Sequence, residues 1–237
     1  MRRAFERTIT TSLLSLALSF QAVSAAQADL WDDSCKFMNL DKSAENSDYE
    51  SLSMTVFGPV DPEMHRQITS VLETSLNSFP NLKTFKLYLS SRGGDIDAGV
   101  AVRNYLLGLE EQHGIKVIAH NIGEVMSAAV DIFCAASERY AAPNTVFLVH
   151  NGQGDLVDSD WSDIENLREQ QELEIKNSVD IFTACTSVKP EEAIWLYADQ
   201  TVFGPDRALE FGMIKEVKTA TFEKDTDVTC KLIIPSE

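Results

Sequence analysis

"TFKLYLSSRGGDIDAGVAVRNYLLGLEEQHGIKVIAHNI", residues 84–122, carries the reading of the fold. "TFKLYLSS" is rich in β-branched and aromatic residues and reads as a strand. "RGGD" breaks it, because adjacent glycines favour a turn. "IDAGVAVRNYLLGLEEQ" then reads as a helix and "IKVIAHNI" as the next strand. A strand, a helix of more than ten residues and a second strand form a crossover unit. Such a unit implies parallel strands.

The same alternation extends in both directions. Upstream, "LSMTVFG" alternates Leu52, Met54 and Val56, the period of a strand. "DPEMHRQITSVLETSLNSF" has an acidic start, proline at its second position and apolar residues at helical spacing. Downstream, a helix is expected from about Met126 to Ala136, a strand at "TVFLVH" and a long acidic helix from about Asp160 to Thr186. Helices at "KPEEAIWLYA" and "PDRALEFG", the latter stopped by Gly212, and strands at "MIKEV" and "VTCKLIIP" complete the pass. The expected fold class is α/β, with crossover βαβ units and a mostly parallel sheet. Residues 51–237 read as a single domain, since no repeat, low-complexity run or linker divides them.

The first 50 residues are different. Arg2, Arg3 and Arg7 precede the apolar run "SLLSLALSF" and small residues suited to cleavage after Ala28. This is the pattern of a secretory signal peptide, residues 1–28, and implies a periplasmic or secreted protein. "RRAF" partly resembles a twin-arginine signal, so the export route stays open. Residues 29–50 are polar and acidic without a period and read as an irregular lead-in. The formal net charge is −17, and removing three Arg and Glu6 gives −19 for the mature chain. Such a surface repels nucleic acid and anionic membranes. Cys35, Cys134, Cys185 and Cys230 permit disulfides after export; Cys35 with Cys230 and Cys134 with Cys185 are possible pairs. Neither a metal site nor a cofactor is indicated.

Ligands of parallel crossover folds gather where strands end and helices begin. Three such places carry chemistry here: "SSRGGD", "GEVMSA" and "VHNG". They supply two glycines, Ser127 and His150. A serine needs an adjacent base to act as a nucleophile, and a histidine emerging at the neighbouring strand end is suited to that role. Taken singly, Ser127 reads as a helix cap, His150 as a surface histidine and "RGG" as a turn. Their joint occurrence at three successive strand ends is the signal.

At these residues the chain resembles the proteolytic subunits of Clp proteases. "FKLYLSSRGGDIDAGVAVRNYL" looks like that family's strand and Gly-Gly turn, and "IGEVMSAAVDIFCAASERYAAPNTVFLVHNG" like its nucleophile helix and histidine-bearing strand. "MTVFGPVDPEMHRQITSVL" and "FGPDRALEFGMIKEV" resemble its opening and closing segments. The likeness spans roughly residues 52–218. It implies a Clp/crotonase-like fold and serine peptidase chemistry, with Ser127 as nucleophile, His150 as base and the Gly94 and Ala128 N–H groups as oxyanion hole. The resemblance places the third member, an acid, at Gln200 on an ungapped count and at Asp199 with a one-residue insertion; Asp199 is the expected acid.

Other departures from the family pattern are Arg92 before the glycines, Ala128 after the serine, and Asp131 where the family is apolar. Asp131 is expected to cap a polar contact between subunits rather than reach the site. "SDIENLREQQELEIKNSVDIF" stands where the family has a protruding handle helix. Its stripe of Ile164, Leu167, Ile175, Val179 and Phe182, interrupted at Gln171, must be covered either by the helix's own domain or by self-association, and the resemblance makes a homo-oligomer the expectation. The functional expectation is an exported serine peptidase acting on peptides or unfolded protein without an ATP-driven unfoldase. A catalytically weak binding or scaffold protein is the alternative. An acyl-coenzyme A enzyme of the same fold is disfavoured by the acidic charge, and a serine–lysine peptidase by the histidine.

Overall fold

The computed structural model describes residues 49–152, 161–221 and 227–233. The expected signal peptide, Cys35 and nearly all of the lead-in lie outside the described residues. In chain order the elements are β1 (Ser51–Phe57), α1 (Pro62–Ser78), β2 (Thr84–Ser91), α2 (Ile96–His113), β3 (Lys116–Met126), α3 (Ala128–Phe133) and β4 (Glu138–Ala141). Then follow β5 (Val146–Val149), α4 (Trp161–Cys185), α5 (Pro190–Ala198), β6 (Thr201–Phe203), α6 (Pro205–Glu210), β7 (Glu216–Val217) and β8 (Asp227–Ile233).

The main path of the sheet runs β6-β5-β3-β2-β1-β8, with β4 paired to β3 and β7. All of these pairings are parallel except β5 with β6. The mostly parallel α/β architecture expected from the sequence is therefore present. In β1 the Leu52, Met54 and Val56 face is fully buried, and Ser53 and Thr55 on the other face are buried too. A parallel sheet covered on both sides requires this.

Helix ends follow local chemistry. Asp61 accepts from the Met64 N–H at 2.6 Å and Asp95 from the Ala98 N–H at 2.7 Å, so both α1 and α2 carry side-chain caps. Gly212 (φ +68°) ends the α6 segment as expected.

The structure departs from the sequence reading around Gly123. The strand expected to end at Ile122 continues to Met126. Leu89 of β2 faces Asn121, but Ser91 faces Val125, so β3 bulges between them. The fully buried Asn121 side chain accepts from the Gly123 N–H at 2.9 Å and donates to the Val146 carbonyl at 3.0 Å. It thereby satisfies the bulge and ties it to β5. A Cβ on Gly123 would lie 2.5 Å from the Ser90 hydroxyl oxygen, which explains the glycine. Three short strands, β4, β6 and β7, were either absent from the sequence reading or shorter than it implied, because each is four residues or fewer.

Candidate active site

β3 and β5 run side by side with Met126 opposite Leu148. The next residue of one strand is Ser127, and two residues past Leu148 is His150. Register alone thus carries the hydroxyl and the imidazole to one edge of the sheet. The Ser127 N–H donates to the Leu148 carbonyl at 2.9 Å and locks this arrangement.

Ser127 is not a helix cap. Its backbone stands at φ 54°, ψ −130°, and its side chain makes no capping hydrogen bond. A non-glycine residue in this region costs about 1–3 kcal/mol, so the surrounding structure must hold it there. The sequence reading, which began the helix at Met126, missed this turn; α3 begins only at Ala128 and has six residues. The turn lifts the hydroxyl off the end of the strand instead of folding it back onto the helix.

The Gly93–Gly94 turn presses on the same point. Val60 N–H donates to the Gly93 carbonyl at 2.9 Å, and Asp95 N–H to the Val60 carbonyl at 2.8 Å. A Cβ on Gly93 would lie 2.5 Å from the Met126 oxygen, 2.6 Å from the Ser127 Cβ and 3.1 Å from the Ala128 nitrogen. One on Gly94 (φ +149°) would lie 2.2 Å from the Val60 oxygen. Both positions therefore require glycine; Gly93 brings main chain against the serine and Gly94 against Val60.

Ser127 and His150 line a single cavity of about 540 Å³, together with Arg92, Gly93 and Gly94. Four polar side chains absent from the sequence reading join them: Asp95, Asp97, Gln170 and Glu174. The last two come from α4, on one face at i, i+4 spacing, and that periodicity was the signal that could have found them. Gln171 of the same helix donates to the Gly152 carbonyl at 3.0 Å, so the interruption in the apolar stripe ties α4 to the segment after His150. Val179 and Phe182 of the stripe are buried in this domain's own core, whereas Leu167 and Leu173 are exposed.

Neither acid candidate lines the cavity. Asp199 is the exposed C-cap of α5, and Gln200 follows it at φ 50°. β6 runs antiparallel to β5 with Thr201 opposite Val149. Continuing that register sets Gln200 opposite His150 and Asp199 opposite Asn151. The Asn151 N–H donates to the Tyr197 carbonyl at 3.2 Å and holds the two segments together. Arg92 pairs at the rim with Glu124 at 3.2 Å.

Asp131 is corrected by its burial. It is only 2% exposed within a single chain, so it does not offer a surface to another subunit. Burial pushes its carboxyl up to about 7, opposed by the nearby Arg103 guanidinium. The Tyr197 hydroxyl is raised well above its usual range by burial and by Asp131. Cys134, at the C-cap of α3, is disulfide-bonded to Cys185, the last residue of α4, with Cα atoms 5.5 Å apart. This is one of the two pairings open from the sequence; the other involves Cys35, outside the described residues. Among the described residues no cluster of potential metal ligands occurs, and no helix is long and apolar enough to cross a membrane.

The Clp protease family model matches residues 43–221, most of the chain. The chain belongs to the Clp protease family. It is similar to the "ATP-dependent Clp protease proteolytic subunit 3" of Rhizobium etli, 25% identical over 192 residues that cover 80% of this chain and 95% of the relative. It also resembles the "ATP-dependent Clp protease proteolytic subunit 1" of Chlamydia felis, 29% identical over 150 residues, 61% of this chain and 70% of the relative. Among solved structures, a ClpP1 mutant from Listeria monocytogenes matches in fold with a TM-score of 0.59 at 18% identity, covering 70% of this chain and 90% of that one. Within this family, the strained serine, the histidine one strand away and the paired glycines are the features that call for a chemical reading.

Proposed function

We propose that this member of the Clp protease family is an exported serine peptidase that cleaves peptides and unfolded segments without an ATP-driven unfoldase. The observation that carries the reading is the shared cavity of Ser127 and His150, with the Gly93–Gly94 turn packed against the serine. His150 takes the hydroxyl proton as Ser127 Oγ attacks the scissile carbonyl. The Gly94 and Ala128 N–H groups receive the charge that develops on the carbonyl oxygen. The protonated imidazole then gives its proton to the leaving amine, leaving an acyl-serine. Water, deprotonated by His150, attacks the acyl-serine and releases the second product.

Asp199, at the end of α5, is the acid assigned to orient the imidazole. The register that sets Gln200 opposite His150 supports the second reading, a weakly active or binding protein, because a glutamine cannot neutralise an imidazolium. Export is supported by the basic and apolar N-terminus, and independence from an ATP-driven partner follows from it. Exposed Leu173, Ile194, Trp195 and Val202 support assembly into a homo-oligomer.

Steady-state hydrolysis of fluorogenic peptides by the mature chain tests the reading. Wild type should turn over, and Ser127→Ala and His150→Ala should each reduce kcat by about 10³-fold or more. Tight peptide binding without turnover would establish the second reading instead.

A further inference from the structure

α3 follows directly on Ser127, and all six of its residues are buried. Five are apolar; the sixth is Asp131. A lone ionisable group inside a buried helix is costly unless the surroundings give it a partner. The group that answers it electrostatically is Arg103 of α2. Arg103 is placed for this, since its Nε is buried and has no hydrogen-bond partner, while Nη1 makes only a 3.4 Å contact with Asn104. From α5 the facing group is Tyr197, whose hydroxyl is already committed to the Ser178 carbonyl of α4 at 3.2 Å. Arg103 Nη1 contacts Asn104 rather than Asp131, so the attraction between Asp131 and Arg103 acts at longer range than an ion pair.

The location gives the interaction its significance. α2 begins just after Gly94, and α3 begins at Ala128. These are the two main-chain amides assigned to the oxyanion. The helices touch near those ends: a Cβ on Gly99 of α2 would lie 3.0 Å from the Ala128 carbonyl oxygen. Asp131 and Arg103 each sit about one turn further along their helices from this contact. An attraction between them would draw α2 and α3 together and fix the spacing of the two amides.

We propose that Asp131 and Arg103 are a positioning pair that holds α2 against α3 and thereby sets the oxyanion hole. The proposal rests on the peptidase reading above. It goes further by giving a role to a buried charge that takes no part in bond making.

The test combines kinetics, stability and titration. Asp131→Asn preserves shape and Arg103→Met removes the cation. Each should lower kcat about tenfold with KM within about twofold, since a small displacement of the hole affects the transition state more than binding. The double variant should be no slower than either single one, because both break one interaction. Arg103→Lys should recover part of the loss. Asp131→Asn should lower kcat while making the protein more stable above neutral pH, a combination that a merely structural role does not produce. Independently of turnover, NMR of ¹³C-carboxyl-labelled aspartate should show the Asp131 midpoint moving upward in Arg103→Met. An unmoved midpoint, unchanged kcat in both variants, or additive losses in the double variant would overturn the pair. If the wild type turns over and the variants match it, the pair alone fails. If the wild type neither hydrolyses peptides nor acylates Ser127, the peptidase reading fails and the positioning role falls with it.

Discussion

Asp131→Asn offers a quantitative check on the buried charge. An aspartate in the unfolded chain titrates near 3.8, and burial raises Asp131 to about 7 in the folded protein. The native state then binds more protons than the unfolded state between those values, so stability falls as pH rises through that window and the whole penalty is present above it. The gap is about three units, and at about 1.4 kcal/mol per unit the penalty amounts to about 4 kcal/mol, an upper figure. Asparagine carries no charge, so it removes this dependence and adds a cost of about 1 kcal/mol for an imperfectly bonded amide at every pH. The variant should therefore be about 1 kcal/mol less stable than wild type near pH 3 and about 3 kcal/mol more stable near pH 8.5. Urea unfolding followed by tryptophan fluorescence, at matched protein concentration and with the disulfide intact, reads both differences. A variant equally destabilised at both pH values would show that Asp131 is not a buried carboxyl held near neutrality.

Other consequences follow from the site. Gly93→Ala should abolish peptide hydrolysis and cost at least about 2 kcal/mol in urea unfolding, because the new Cβ would overlap the Met126 oxygen and the Ser127 Cβ. Asp199→Ala should lower kcat and Gln200→Asp should leave it nearly unchanged if Asp199 orients the imidazole; the reverse pattern would show that register decides the acid and would favour the weakly active reading. Cys134→Ser should lower unfolding stability by about 4 kcal/mol, the chain-entropy figure for a sequence separation of 51. Reducing agent should then destabilise wild type by about that much more than the variant.

Much of this molecule was legible in its residues. "TFKLYLSS" is β2 without change, and Asp61 and Asp95 begin their helices because their side chains accept N–H groups three residues on. That Ser127 and His150 would share one cavity was legible because each follows an apolar strand. What could not be read was decided by tertiary contacts. The turn at Ser127 looks like a helix start until the Gly93 main chain is found against it. Gly123 looks like a strand end until Asn121 is seen satisfying the bulge. Glu174 belongs to the cavity only because α4 returns across it, and Asp131 is buried because α2 and α4 pack over α3. The acid stayed ambiguous because a shift of one residue in a three-residue strand moves a different side chain opposite the imidazole.

The most direct measurement of the central claim is the mass and location of a fluorophosphonate adduct on the folded, mature chain. The proposed mechanism predicts one adduct per chain, on Ser127, absent in Ser127→Ala and formed far more slowly in His150→Ala. No adduct on folded wild type, or one on any other residue, would contradict it.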